Sequence, residues 1–66
     1  MEITVNGQRR EYDGPPYVTA LLEALGIHPR PVVVERNLRI VARSELEKEP
    51  VQDGDSFEII RFVGGG

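Results

Sequence analysis

The three glycines that close the sequence, Gly64, Gly65 and Gly66, are its most chemically suggestive feature. Without side chains they form an unbranched tether that extends about 10 Å, at roughly 3.3–3.6 Å per residue. Such a tether can carry the carboxylate of Gly66 beyond the body of a domain and into a narrow channel of another protein. A terminal carboxylate has an ordinary pKa of about 3.3–3.7, so it is ionised at neutral pH and is a poor electrophile. It must therefore be activated before a nucleophile can attack it.

Activation by ATP to an acyl adenylate would make the carbonyl carbon of Gly66 reactive. Attack by a sulfur nucleophile would then leave a terminal thiocarboxylate. The sequence contains no Cys, so any sulfur that the protein carries must be held by another group. A thiocarboxylate at Gly66 would store sulfur without any Cys, and the activating chemistry would belong to a partner enzyme.

The other residues of catalytic or metal-binding type do not form a recognisable site. His28 is the only His and lies in a connector flanked by prolines, which favours a solvated loop residue. Asp53 and Asp55 flank a single Gly, which falls far short of a calcium loop and is better explained by turn chemistry. No helix follows the terminal glycines, so they are not a phosphate-binding loop. We predict no catalytic residue, no metal ligand and no bound cofactor in this chain.

The length and charge of the chain exclude several classes of function. With 66 residues it forms one domain that has no room for a deep substrate cavity. Its formal net charge of −3 offers no basic surface for nucleic acid. The N-terminal residues lack the pattern of a signal peptide, and no apolar run reaches the length of a membrane span. We expect a cytoplasmic protein that binds neither nucleic acid nor membrane.

Alternating apolar residues predict a first strand from Met1 to Val5. Asn6 and Gly7 follow it, and this pair is the strongest short signal for a hairpin. The returning strand, Gln8 to Tyr12, is polar, which indicates an edge of the sheet.

A helix is predicted next, because apolar residues recur at i, i+3, i+4 and i+7: Val18, Leu21, Leu22 and Leu25. Gly26 is suited to end the helix, and Ile27 can supply the apolar contact that accompanies such an end. Tyr17 is a poor N-cap. The helix needs a sheet on which to bury its apolar stripe.

The second half of the chain predicts three strands and one short helical turn. Val32 to Glu35 and Arg39 to Ala42 suggest a second hairpin, although Leu38 is an unusual turn residue. A capping box that begins at Ser44 predicts the helical turn. The run from Ser56 to Val63 is the most apolar strand, so it should be central. This order predicts an α+β fold in which one helix packs across one face of a mixed sheet of four to five strands.

Alternation along the final strand predicts where partners dock. Phe57 and Ile59 should face the helix, which places Ile60 and Phe62 on the opposite face, close to the glycine tail. Exposed apolar patches often mark binding surfaces. The alternative is a β-bulge near Ile59 or Ile60 that returns these side chains to the core.

Features along the whole chain match one known family. They are Asn6 with Gly7, Val18, Leu21 to Glu23, Asn37, Ile40 with Val41, Arg43 with Ser44, Val51, Asp53 to Asp55, and Val63 to Gly66. On these residues the chain resembles the sulfur carriers of thiamine thiazole biosynthesis, which share the ubiquitin-like β-grasp fold. Two positions depart from the family pattern: Ala42 stands where Pro is frequent, and Leu38 stands where Gly or a polar residue is common.

The resemblance implies a β-grasp domain over residues 1–63 and a flexible tail over residues 64–66. In such proteins an E1-like adenylyltransferase adenylates the last glycine. The glycine is then converted to a thiocarboxylate with sulfur from a donor enzyme and presented to thiazole synthase. Gly66 occupies that place here, and Gly65 is the preceding glycine.

Three other functions remain open at this point. The small subunit of molybdopterin synthase has a similar fold and end but is usually longer, so the short length and the motif from Val51 to Asp55 favour thiamine. A ubiquitin-like modifier would be joined through its terminus to a target lysine. An interaction domain with an incidental glycine tail would not need that tail.

Overall fold

The last strand of the chain lies at the centre of a five-stranded sheet. The computed structural model describes residues 1–61. In chain order its elements are β1 (Glu2–Val5), β2 (Gln8–Glu11), α1 (Val18–Ala24), β3 (Val32–Arg36), β4 (Arg39–Val41), a 3₁₀ turn (Arg43–Glu45) and β5 (Ser56–Arg61). The strand order is β2-β1-β5-β3-β4. Because β1 and β5 are parallel and the other neighbours antiparallel, the sheet is mixed, as predicted.

Helix α1 and the sheet bury their apolar faces against each other. Val18, Leu21 and Leu22 are almost fully buried and belong to one core with Phe57 and Ile59 of β5. Burying an aliphatic or aromatic side chain of this size contributes about 1.5–3 kcal/mol. The predicted helix stripe and the predicted inner face of the final strand are therefore both confirmed.

The two ends of α1 satisfy their main-chain groups in different ways. At the N-terminal end Tyr17 makes no capping hydrogen bond with its side chain. The amides of Val18 and Thr19 instead donate to the carbonyl oxygens of Glu49, at 3.0 Å, and Leu46, at 3.3 Å. The segment before β5 thus takes over the task that an N-cap side chain usually performs.

At the C-terminal end of α1, Gly26 adopts a φ of +72°. The amide of Gly26 donates to the Glu23 oxygen at 3.0 Å, and that of Ile27 donates to the Leu22 oxygen at 2.9 Å. This pair of bonds is the Schellman arrangement. The predicted helix end is confirmed.

The predicted capping box at Ser44 is wrong. Ala42 precedes the 3₁₀ turn, and no side chain caps it. Ser44 lies inside the turn, where the main-chain oxygen of Ala42 already accepts the amide of Glu45 at 2.8 Å. Positions 62 and 63, which are predicted to belong to the final strand, lie outside the described residues.

Within residues 1–61, no helix has the length and the apolar character needed to cross a membrane.

Candidate functional site

The glycine tail predicted to carry the chemistry continues from β5. Gly64, Gly65, Gly66 and Phe62 all lie outside the described residues, so their predicted roles stay predictions. The described strand that leads to them ends at Arg61.

Strand β5 is paired along both edges, but over different lengths. Its pairing with β3 runs from Phe57, opposite Arg36, to Arg61, opposite Val32. Its pairing with β1 is shorter and ends where Val5 lies beside Phe57. The strand is therefore anchored to β3 up to its last described residue, whereas β1 stops earlier.

Ile60 lies on the sheet face opposite α1, and half of its surface is exposed (50%). The register between β3 and β5 is continuous, with Val33 opposite Ile60 and Val34 opposite Ile59. A β-bulge at this point would have broken that register. The predicted orientation of Ile60 is therefore confirmed, and the bulge alternative is not observed.

We call the sheet face opposite α1 the open face. Two further apolar residues share it with Ile60: Val33 on β3 and Ile40 on β4, which is 71% exposed. Glu35 and Glu58 lie directly opposite each other on the same face. The open face therefore carries three apolar side chains and two glutamates. Like charges that lie directly opposite each other destabilise a sheet.

Val33 and Ile40 were not among the residues predicted for this surface. The alternation along the two strands could have identified them, because the pattern that places Val34 and Val41 in the core places Val33 and Ile40 on the opposite face. Only the pairing of β3 with β5, which the sequence did not specify, places Val33 opposite Ile60. Ile40 lies one strand further away, on β4 and opposite Glu35.

A buried ion pair fixes the start of β5. Asp55 is 7% exposed, and its Oδ2 accepts from Arg36 Nε at 2.8 Å and from the amide of Gln52 at 2.8 Å. Its Oδ1 accepts from Asn37 Nδ2 at 2.9 Å. Arg36 also binds Glu49, with 3.0 Å between Nη1 and Oε2. This network connects the β3–β4 hairpin to the turn that precedes β5.

The protonation of this network follows from its hydrogen bonds. Burial by itself raises the pKa of Asp55, but the hydrogen bonds from Arg36 and Asn37 outweigh it and hold the pKa below its ordinary value. The hydrogen bond to Asp55 raises the pKa of Arg36, against the effect of burial. Both groups are therefore charged at neutral pH. Turn chemistry alone was predicted for Asp55. Its partner Arg36, which lies 19 positions earlier, was not predicted.

The remaining candidates for chemistry stay apart from one another. His28 is exposed, and its Nδ1 accepts from the amide of Arg30 at 3.3 Å. Asp53 is exposed, and its Oδ1 accepts from the amide of Glu2 at 2.7 Å. Across residues 1–61, no three His, Cys, Asp or Glu side chains are grouped in a way that could hold a metal ion.

Comparison with known proteins places this geometry in a family. The thiazole synthase of Paramagnetospirillum magneticum is 46% identical over 66 residues, which are all of this chain and 20% of that protein. The chain thus spans about one fifth of the length of that relative. The sulfur carrier protein ThiS of Bacillus subtilis is 37% identical over 46 residues, which are 70% of each chain.

Structural similarity extends over the whole chain. The crystal structure of the thiamine biosynthesis protein ThiS from Geobacter metallireducens is 39% identical and superposes with a TM-score of 0.85, covering 100% of both chains. The β-grasp fold expected from the resemblance is therefore confirmed. The sequence itself matches the ThiS family over residues 3–66. The chain belongs to the ThiS family.

Proposed function

We propose that this chain is a sulfur carrier for the formation of the thiazole of thiamine, and that Gly66 holds the sulfur as a terminal thiocarboxylate. The observation that carries the proposal is the family match, which extends through the three glycines to position 66. The similarity to ThiS of Bacillus subtilis supports the same role.

The chemistry takes place in two steps on the carboxylate of Gly66. In the first step a carboxylate oxygen attacks the α-phosphorus of ATP, pyrophosphate leaves, and an acyl adenylate forms. In the second step sulfur at the oxidation level of sulfide, supplied by a donor enzyme, attacks the carbonyl carbon and AMP leaves. Loss of a proton then gives the thiocarboxylate. An E1-like adenylyltransferase carries out the activation.

This division of work fits the described part of the chain, in which the residues of catalytic type stay apart from one another. The lone imidazole of His28 lies in an exposed connector, and the Asp55 carboxylate is already engaged by Arg36. We therefore propose that the protein is a carrier, a co-substrate of its partners, and that it works in the cytoplasm.

Thiazole synthase is the proposed acceptor of the sulfur. The relative from Paramagnetospirillum magneticum bears that name and is similar to this chain over only a fifth of its length. Joining a carrier segment and a synthase in one polypeptide raises their effective concentration toward each other. We propose that the same two partners meet here through the open face, with Ile60 and Phe62 in contact with the partner.

Adenylation of defined variants tests the role of the tail. The chain ending at Gly66 should support ATP–pyrophosphate exchange by the E1-like enzyme. Deletion of Gly66 leaves the terminal carboxylate on Gly65, about 3.3–3.6 Å short of its former position. Gly65→Val adds a branched side chain where the partner must admit a narrow tether. Both changes should abolish exchange and leave the unfolding midpoint nearly unchanged. Normal exchange with either variant would contradict the proposed role.

A further inference from the structure

The side chain of Asn6 hydrogen-bonds to the main chain of β5 just before that strand leads into the tail. Asn6 has a φ of +49° and Gly7 a φ of +81°, as expected for a type I′ turn between β1 and β2. The Oδ1 of Asn6 accepts from the amide of Ile59 at 2.8 Å, and its Nδ2 donates to the Ile59 oxygen at 3.3 Å. A single side-chain amide thus binds both main-chain groups of Ile59.

These two hydrogen bonds extend the pairing between β1 and β5 beyond the last residue of β1. The register of β1 with β5 ends where Val5 lies beside Phe57, and the amide of Asn6 donates to the Phe57 oxygen at 2.9 Å. Two residues further along β5, the main-chain groups of Ile59 point to the same side. The carboxamide of Asn6 stands where the next peptide group of β1 would have been. Among the residues that the structure describes, it is the last group from the first hairpin to fix β5.

A matching interaction occurs at the opposite end of β5. Asn37 also has a positive φ, +51°, in the β3–β4 turn. Its amide donates to the Ser56 oxygen at 2.7 Å, and its Oδ1 accepts from the amide of Ser56 at 2.9 Å. Both asparagines therefore extend the pairing of β5 beyond the end of a neighbouring strand. Only Asn6 does so at the end that leads to Gly66.

We infer that Asn6 is a positioning residue that sets the direction in which β5 delivers the tail to the activating enzyme. The inference rests on the proposed function. Arg61 follows Ile59 by two residues, so its main-chain groups point toward the side on which β1 has already ended. Without the Asn6 side chain, the edge of β5 that faces β1 has no hydrogen bond to the first hairpin from Ile59 to Arg61. A misplacement of about 1 Å at a reacting group can lower a rate by roughly 100-fold.

The test compares Asn6→Gly with Asn37→Gly. Glycine adopts positive φ readily, so each variant keeps its turn and loses only the side-chain amide. ATP–pyrophosphate exchange with the E1-like enzyme gives kcat and KM for each folded protein. We expect Asn6→Gly to lower kcat by on the order of 10- to 100-fold with a change in KM of less than about threefold. Asn37→Gly should keep the wild-type kcat, although it also loses the hydrogen bond to Asp55 and should be the less stable variant.

Two further measurements separate positioning from general weakening of the fold. Hydrogen exchange should become faster at the amide of Ile59 in Asn6→Gly and stay unchanged at the amide of Glu58, which points toward β3. Asn6→Asp keeps the acceptor for the Ile59 amide and should recover part of kcat.

The outcomes distinguish this inference from the proposed function. A wild-type kcat for Asn6→Gly would overturn the positioning role, and so would an equal loss of kcat in Asn6→Gly and Asn37→Gly. In either case, adenylation of the unaltered chain would still support the carrier role. Failure of the unaltered chain to be adenylated would overturn both. Unchanged exchange at Ile59 in Asn6→Gly would also overturn the positioning role.

Discussion

At the scale of single residues, Leu38 occupies a conformation that its side chain disfavours. It has a φ of +70° and follows Asn37 in the two-residue turn between β3 and β4. Its side chain is 89% exposed, so it gains almost nothing from burial. Type I′ turns favour Asn-Gly, and the left-handed region costs an L-residue about 1–2 kcal/mol. The departure from the family pattern at this position is therefore a local cost to stability.

Replacing Leu38 with Gly should stabilise the protein by roughly 0.5–1 kcal/mol. Relief of the disfavoured backbone conformation outweighs the greater freedom that Gly gives to the unfolded chain, which is about 0.5–1 kcal/mol. Urea unfolding measures the change. Leu38→Ala is the control, since it removes the exposed side chain and keeps the positive φ, and it should leave stability nearly unchanged. A decrease in stability for Leu38→Gly would contradict this account of the turn.

The ion pair between Asp55 and Arg36 predicts how stability depends on pH. The folded-state pKa of Asp55 lies below its ordinary value of 3.8. The carboxylate therefore contributes its full stabilisation above that value, and the contribution is lost as the pH falls through the folded-state pKa. Asp55→Asn should lower the free energy of unfolding at pH 7 by about 1–3 kcal/mol, and the gap to the wild type should narrow below about pH 4.

Unfolding by urea at a series of pH values measures this gap. Asp53→Asn, which changes an exposed carboxylate in the same turn, is the matched control and should be close to the wild type at pH 7. A difference between the wild type and Asp55→Asn that stays constant down to pH 2 would show that the charge of Asp55 does not stabilise the fold.

At the scale of elements, features set by neighbouring residues could be predicted from the sequence, whereas contacts between positions distant in the sequence could not. The stripe of α1 and the alternation in β5 follow from local sequence, because side-chain direction is set by the period of the element. The turn at Asn6 and the helix end at Gly26 follow from the need for positive φ. The pairing of Arg36 with Asp55 and of Asn6 with Ile59 joins distant positions, and no local pattern specifies either.

A double substitution on the final strand tests whether the open face binds partners. Ile60→Ser together with Phe62→Ser should weaken binding to the activating enzyme or to thiazole synthase more than it weakens folding. For Ile60, which is half exposed, we expect a loss of stability of about 1 kcal/mol or less. Titration calorimetry with each partner and urea unfolding of the same protein give the two quantities.

Ile59→Ser is the matched control on the other face of the same strand. Ile59 is buried, so this change should cost about 2–5 kcal/mol of stability. A large loss of stability for the Ile60 and Phe62 variant, with unchanged affinity of the folded fraction, would place the docking surface elsewhere.

At the scale of the whole molecule, the described part of the fold is organised around β5. The strand that leads to the glycines is the central one and is paired with β1 and β3. Its two ends are further fixed by Asn37 and Asn6. We propose that partner enzymes supply the chemistry and that this domain supplies the base of the tail and a recognition surface.

Whether Gly66 carries sulfur can be read from the mass of the intact protein. The chain is purified from its native cells without thiol reagents, and its C-terminal fragment is sequenced by mass spectrometry. We expect a population in which one oxygen is replaced by sulfur, with the change located at Gly66 and absent from the Gly65→Val variant. A chain found only with an unmodified carboxylate during active thiamine synthesis, or joined through Gly66 to lysines of other proteins, would contradict it.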